Sequence, residues 1–355
     1  MDSIERRIFF LCQDTNDISG GVKKIYQHVD ILNRHGHRAF VLHFHSNFRC
    51  TWFQNNTSIV YPSWPSGTKD FPFYPRGLPL HTTTEQLPPI NSHDIVVVPE
   101  INALSSDVIS MGILQQPFVV FSQNTYYTFN NLILPPAPFL SDKSLVPNNP
   151  YNASSLLGII VVSEDNFEYM HFAFPSIPLY HVRLSVDHKK FAFSPFKRKQ
   201  IAYMTRKSWH DIVQLVGVLL TRGNLKGWFF VPIENQTEDQ VAEILKNSWI
   251  FLSSASFEGF SLPAMEAILC GCLVAGYHGQ GGKEFIRPPL AVPIDNQDIL
   301  GFAKAVEMIA ANIDLHPQEQ LKKAKQNSEL IKSLYFQEQE ERDVLKVWKE
   351  ILSRK

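Results

Sequence analysis

Residues 7–13 form an apolar run the length of a buried strand, and the loop after it, 14–21, ends in Ser19-Gly20-Gly21. Residues 22–35 then carry apolar side chains at 22, 25, 26, 29 and 32, which is helical spacing, and 38–44 is a second strand-length run. A strand, a helix and a strand in close succession form a βαβ unit. Such a crossover returns to the same sheet, right-handed and parallel. Few folds begin this way, and nearly all are layered α/β structures with ligands at the carboxyl ends of their strands.

The alternation recurs. Strand-length runs lie at 94–99, 117–122, 158–163 and 179–183, with a short helical pattern at 164–172. Residues 46–92 interrupt the first half. They are rich in Pro, Trp, Phe and Asn and lack a clear period, so an irregular insert with one strand near 58–61 is expected. A Pro/Asn-rich loop spans 134–152. A basic connector at 191–199 leads into a second alternation, with strands at 200–205, 227–232, 249–253 and 273–276. Helical patterns fall at 211–221, 237–247, 262–270, 298–312, 318–334 and 337–352, and Thr237 and Gln240 have capping-box spacing. At ~150 residues per domain, 355 residues suggest two domains. Two alternating halves imply two Rossmann-like domains with a cleft between them.

Composition removes other classes. Apolar residues make up 44% and the net charge is −1, which excludes disorder. Residues 1–190 hold 13 basic and 15 acidic side chains, and the remainder 20 and 19. Neither half has a nucleic-acid footprint or a basic patch for strong attraction to anionic membranes. The apolar run 8–12 is too short for a signal-peptide core, and no stretch approaches the ~20 residues of a membrane span. A soluble cytoplasmic protein is expected, at most peripheral to the inner face of a membrane. The four cysteines have no zinc or disulfide spacing. Cys270 and Cys272 read as a buried helix end and strand start. His43 and His45 alternate on one strand face, but no carboxylate or cysteine joins them at ligand spacing, so structural roles are expected.

The stretch from Ser254 to Gly271 carries chemistry. A strand ends, a loop bears Glu258, and a helix begins with Pro263 in its first turn, where proline sacrifices no hydrogen bond. Free amides at a helix start favour an anion. Glu258 and Glu266 flank that start and suit sugar hydroxyls better than phosphate. Together they fit a nucleotide sugar.

With seven residues between the two glutamates, this segment resembles the E-x7-E signature of the retaining GT-B glycosyltransferases, glycosyltransferase group 1. Ser261 stands where the family commonly has glycine. Val274-Ala275-Gly276, Gly281-Gly282-Lys283-Glu284, Gly20-Gly21-Val22 and Ser185-Val186-Asp187 with Phe191 resemble further family segments, and the final helices with Trp348 resemble its carboxyl tail. The resemblance implies an α/β GT-B fold of two Rossmann-like domains facing each other across a cleft. An acceptor-side domain would span 1–190, a nucleotide-sugar domain 191–335, and a helix at 336–355 would return to the first domain.

The implied activity is transfer of a hexose from a nucleotide diphosphate sugar to an acceptor hydroxyl, with retention, without a metal or other cofactor. The acceptor would be a carbohydrate, a lipid-linked glycan or another hydroxyl compound. Glu258 would touch the donor sugar, Glu266 would hold the ribose, and the amides near Phe260, Ser261 and Leu262 would face the diphosphate. Arg206 would bind phosphate. The family's lysine lies a few residues further on, where this chain reads Ser208-Trp209-His210-Asp211, and Lys207 is the candidate to replace it. Gly20 and Gly21 would let a first-domain loop approach the donor. Many members place a histidine where this chain has Gln123-Asn124, so these two become candidate donor contacts. Trp52, Trp64 and Tyr74 of the insert either pack or shape the acceptor side. The alternatives are a catalytically silent binding or scaffold protein, or another GT-B enzyme such as a phosphorylase or epimerase.

Overall fold

A computed structural model of the chain describes residues 6–66, 77–104, 115–130 and 149–354. It divides into two compact units. The first holds residues 1–162, 166–182 and 341–355, and the second 163–165 and 183–340. Residues 183–190 therefore fall with the second unit, and the helix Gln337–Ser353 belongs to the first unit from Glu341 onward.

In the first unit the described strands are β1 (Arg7–Leu11), β2 (Arg38–Leu42), β3 (Ile59–Pro62), β4 (Leu80–His81), β5 (Gln86–Leu87), β6 (Ile95–Pro99), β7 (Phe118–Ser122), β8 (Leu156–Val161) and β9 (Leu179–His181). They form one sheet in the order β5-β4-β3-β2-β1-β6-β7-β8-β9. Pairing is parallel from β3 to β9, as the βαβ reading requires, while β4 and β5 extend the β3 edge antiparallel. Both faces of β1 are buried, which is why its sequence is a continuous apolar run. Phe9, Leu11, Val96, Val98, Val120 and Ile159 share one core. On the other face Phe10 meets Trp348 of the last helix at 5.9 Å. A buried Arg7–Asp94 ion pair ties the start of β1 to the turn before β6, and Arg7 also donates to the carbonyls of Pro88 and Pro89.

Two expectations need correction here. The insert carries more regular structure than its composition suggests, because two-residue strands such as β4 and β5 are too short to show a period. Gly20 and Gly21 are not in a loop: they are the first two residues of the helix Gly20–Arg34. Tyr74 and residues 134–148 of the Pro/Asn-rich loop lie outside the described residues.

The second unit contains β10 (Arg198–Met204), β11 (Phe229–Ile233), β12 (Ser248–Ser253), β13 (Leu273–Gly276) and β14 (Ala291–Pro293), all parallel in the order β11-β10-β12-β13-β14. Helices Trp209–Arg222, Glu238–Asn247, Leu262–Leu269, Ile299–Leu315 and Pro317–Leu334 accompany them. The capping box forms: Gln240 N–H donates to Thr237 Oγ1 at 3.3 Å, and Thr237 N–H to Gln240 Oε1 at 2.8 Å. Cys270 and Cys272 are buried free thiols at the helix end and before β13. β14 has no counterpart in the sequence reading, since three residues carry no periodic signal. No described helix is long and apolar enough to cross a membrane.

Candidate functional site

In the second unit β10 and β12 are neighbours, so the residues that follow them meet. Lys207, three residues past the end of β10, places Nζ 2.7 Å from Glu258 Oε1 in the loop after β12. Ser254 Oγ donates to the Lys207 carbonyl at 3.3 Å, and Ser208 Oγ lies 3.3 Å from Ser256 Oγ, so the two loops are laced together. Ser208 adopts φ +50, a left-handed turn directly before the helix Trp209–Arg222. Arg206 is exposed at the same strand end.

A third loop supports Glu258 from the other side. Glu258 N–H donates to the Gly279 carbonyl at 2.7 Å, and Gly281 N–H donates to the Glu258 carbonyl at 3.0 Å. This close approach explains Gly281. A Cβ there would stand 1.9 Å from the Gly259 carbonyl oxygen. Gly282 is equally hemmed in by the His278 carbonyl, at 2.3 Å. Glu284 is engaged at both oxygens: Oε1 accepts from Glu164 N–H and Oε2 from Tyr335 OH, each at 2.7 Å. Burial, with help from the Lys283 charge, pushes the His278 imidazole below its ordinary pKa, favouring the neutral ring.

Ser261 begins the helix Leu262–Leu269, and its side chain makes no capping hydrogen bond. The i→i−4 ladder starts with Met265 N–H to the Ser261 carbonyl, and Pro263 has no N–H to satisfy. Phe260 is buried against Phe285 and Tyr335, so its ring anchors the loop and only its backbone is left to face a ligand. Glu266 is half-buried one turn into the helix. Thus Lys207, Glu258 and the helix start share one strand-end site, with Arg206 beside it.

The first-unit candidates gather separately. Gly21 sits against Gln123: a Cβ on Gly21 would lie 3.3 Å from Gln123 Oε1. Asn124 is buried and its Oδ1 accepts from Tyr126 N–H at 3.3 Å, so it caps a turn. The residue missed in the sequence is Glu100, which follows β6. It is buried and accepts the backbone N–H groups of Gln123 at 3.1 Å and Asn124 at 2.9 Å. Burial pushes its carboxyl up to about 7, against the pull of those amides. The available signal was a lone carboxylate at the end of a fully apolar strand, Ile95-Val96-Val97-Val98-Pro99-Glu100. These residues lie at the carboxyl ends of β1, β6 and β7, where the strand order reverses. Open α/β sheets bind ligands at such a point.

Two parallel Rossmann-like units with loops of this kind define a GT-B fold. Residues 224–332 match the family model of glycosyl transferases group 1. An alpha-1,6-glucosyltransferase from Actinobacillus pleuropneumoniae serotype 7 is 27% identical over 212 residues, which is 57% of this chain. The chain spans only 58% of that relative's length. Among solved structures, sucrose-phosphate synthase from Thermosynechococcus elongatus is similar with a TM-score of 0.65 at 11% identity, covering 98% of this chain and 100% of that one. HepE from Anabaena, in complex with UDP and glucose, is similar with a TM-score of 0.63 at 12% identity, covering 97% and 100%. At these identities the structures establish the fold.

Proposed function

We propose that the protein is a glycosyltransferase that moves a hexose from a nucleoside diphosphate sugar to an acceptor hydroxyl, with retention and without a resident metal. The observation that carries this reading is the Lys207–Glu258 pair beside the start of the helix Leu262–Leu269. Positive charge for a diphosphate and a carboxylate for sugar hydroxyls stand side by side there. The group 1 match over Glu258 and this helix, the relative named as a glucosyltransferase and the UDP and glucose held by HepE support the same chemistry, with glucose the first hexose to try.

In this reading the diphosphate enters at the helix start and competes with Glu258 for Lys207. Lys207 turns to the phosphate oxygens with Arg206, and the released Glu258 takes hydroxyls of the hexose. Glu266 holds the ribose. The bond from the anomeric carbon to the diphosphate oxygen breaks, the acceptor oxygen bonds to that carbon on the same face, and its proton passes to the leaving diphosphate. The chain itself supplies placement and charge stabilisation, the two largest contributions to such a step.

Thermal denaturation with UDP, ADP, GDP, CDP and TDP tests the donor site. At a hundredfold excess over Kd, one of them should stabilise the protein by about 2.7 kcal/mol, a rise of several degrees. No shift with any of the five would overturn the reading. Turnover is expected to survive EDTA, and loss on chelation with recovery on adding Mg²⁺ would contradict the metal-free proposal.

A further inference from the structure

The insert and the end of β2 border an open pocket of about 500 Å³ in the first unit, within the usual size of a small-ligand site. Its lining includes Phe44, His45, Ser63, Trp64, His81 and Gln86. Phe44 and His45 follow β2, and Ser63 and Trp64 follow β3, so the pocket opens at the carboxyl ends of parallel strands.

Trp64 is held in place: its indole Nε1–H donates to the Phe44 carbonyl at 2.7 Å. The same backbone turn is locked by Asp14. One Asp14 oxygen accepts Phe44 N–H and lies 2.8 Å from His43 Nδ1, and the other accepts His45 N–H and lies 2.6 Å from His45 Nδ1. Burial opposes the Asp14 charge, but its hydrogen bonds from His43 and His45 prevail and keep the carboxyl below its ordinary pKa. An ionised Asp14 accepts the proton on His45 Nδ1, which fixes the orientation of the ring. His81 is fixed likewise by Ser63 Oγ at 3.2 Å.

Among the described residues the lining has no lysine, arginine or carboxylate. It combines the rings of Trp64 and Phe44 with imidazole, hydroxyl and carboxamide groups, each able to donate or accept. A neutral polyhydroxylated ring meets all of these demands, with its C–H face on the indole and its hydroxyls on the planar polar groups. A metal fits poorly, because no group of three or more His, Cys, Asp or Glu is arranged to hold one among the described residues.

We propose that this pocket is a saccharide-binding site and that it holds a neutral sugar residue of the acceptor glycan. The sheet order supports the second half. With β1 at the reversal point and β2 and β3 the next two strands, at ~4.8 Å per strand, the pocket lies roughly 10–20 Å from the Gly21–Gln123–Glu100 cluster. An oligosaccharide can therefore keep one residue in the pocket while its end reaches that cluster. The acceptor role rests on the glycosyl-transfer reading above; saccharide binding does not.

Calorimetric titration of the full chain with maltotriose, isomaltotriose and cellotriose provides the test. Saturable binding of at least one is expected, weakened about tenfold or more in Trp64→Ala and His45→Ala and largely kept in Trp64→Phe. Arg222→Ala, on the surface of the second unit, should bind the trisaccharide as the wild type does. If Trp64→Ala fails to fold, the exposed Gln86→Ala supplies the same comparison. Absence of binding by all three sugars, or binding that every one of these pocket variants leaves intact, would overturn the site. Saccharide binding by a chain that turns over no nucleotide sugar would keep the site and overturn its acceptor role.

Discussion

Glu258 and Lys207 do most of the chemistry in this account, and each satisfies the other in the free protein. Removing either changes more than one charge, since the partner is left uncompensated beside an anion site. Glu258→Ala should lower turnover about a hundredfold or more, and Lys207→Ala comparably, while both proteins stay folded. Near-normal turnover in both variants would show that the pair is only structural. Glu100 makes a different kind of prediction. Its carboxyl titrates near 7 when folded and near 4.5 when unfolded, so the unfolded chain gives up its proton first as pH rises. Its contribution is full below pH 4.5 and is lost as pH climbs to about 7, at most ~3 kcal/mol. The stability difference between wild type and Glu100→Gln, from urea melts across that range, should fall by an amount of that order. A flat difference would mean that Glu100 is not perturbed.

At the scale of elements, strands buried on both faces and helices with a wide apolar stripe were legible in the sequence, as was the capping box. β4, β5 and β14 were not, because two or three residues cannot display a period. Lys207 could be placed at a strand end by counting, but its contact with Glu258 depends on β10 and β12 being neighbours, which sequence order does not reveal. Asp14 illustrates the same limit: 29 residues before His43, it joins both histidines through the fold. Glycine sites give a sharp test of the local packing. Gly281→Ala forces a Cβ to within 1.9 Å of a carbonyl oxygen and should cost roughly 1–3 kcal/mol and disturb Glu258. Gly217, mid-helix with nothing within 4 Å of its Cβ position, should instead gain about 0.5–1 kcal/mol as alanine. Thermal melts of the two variants should move in opposite directions, and equal shifts would contradict the packing described for the Gly281 loop.

For the molecule as a whole, the last helix is structural support for the first unit. Trp348 is fully buried and donates Nε1–H to His28 Nε2 at 2.6 Å. Trp348→Ala should therefore cost ~3–5 kcal/mol. His28 adds a pH term. Burial, with the Lys24 charge, pushes its imidazole down to about 3, so the neutral ring is held in the folded state. The stability it contributes is full above pH 6.5 and is lost as pH falls toward 3. The near-zero net charge, which at first only excluded nucleic acid, now implies that an anionic donor is attracted by a few placed groups. That claim is tested most directly by release of nucleoside diphosphate from a panel of nucleotide sugars, UDP-glucose first, by the wild type and by Glu258→Gln. The account predicts release from at least one donor by the wild type, reduced about a hundredfold or more in the variant. No release from any donor, or equal release by both proteins, would contradict it.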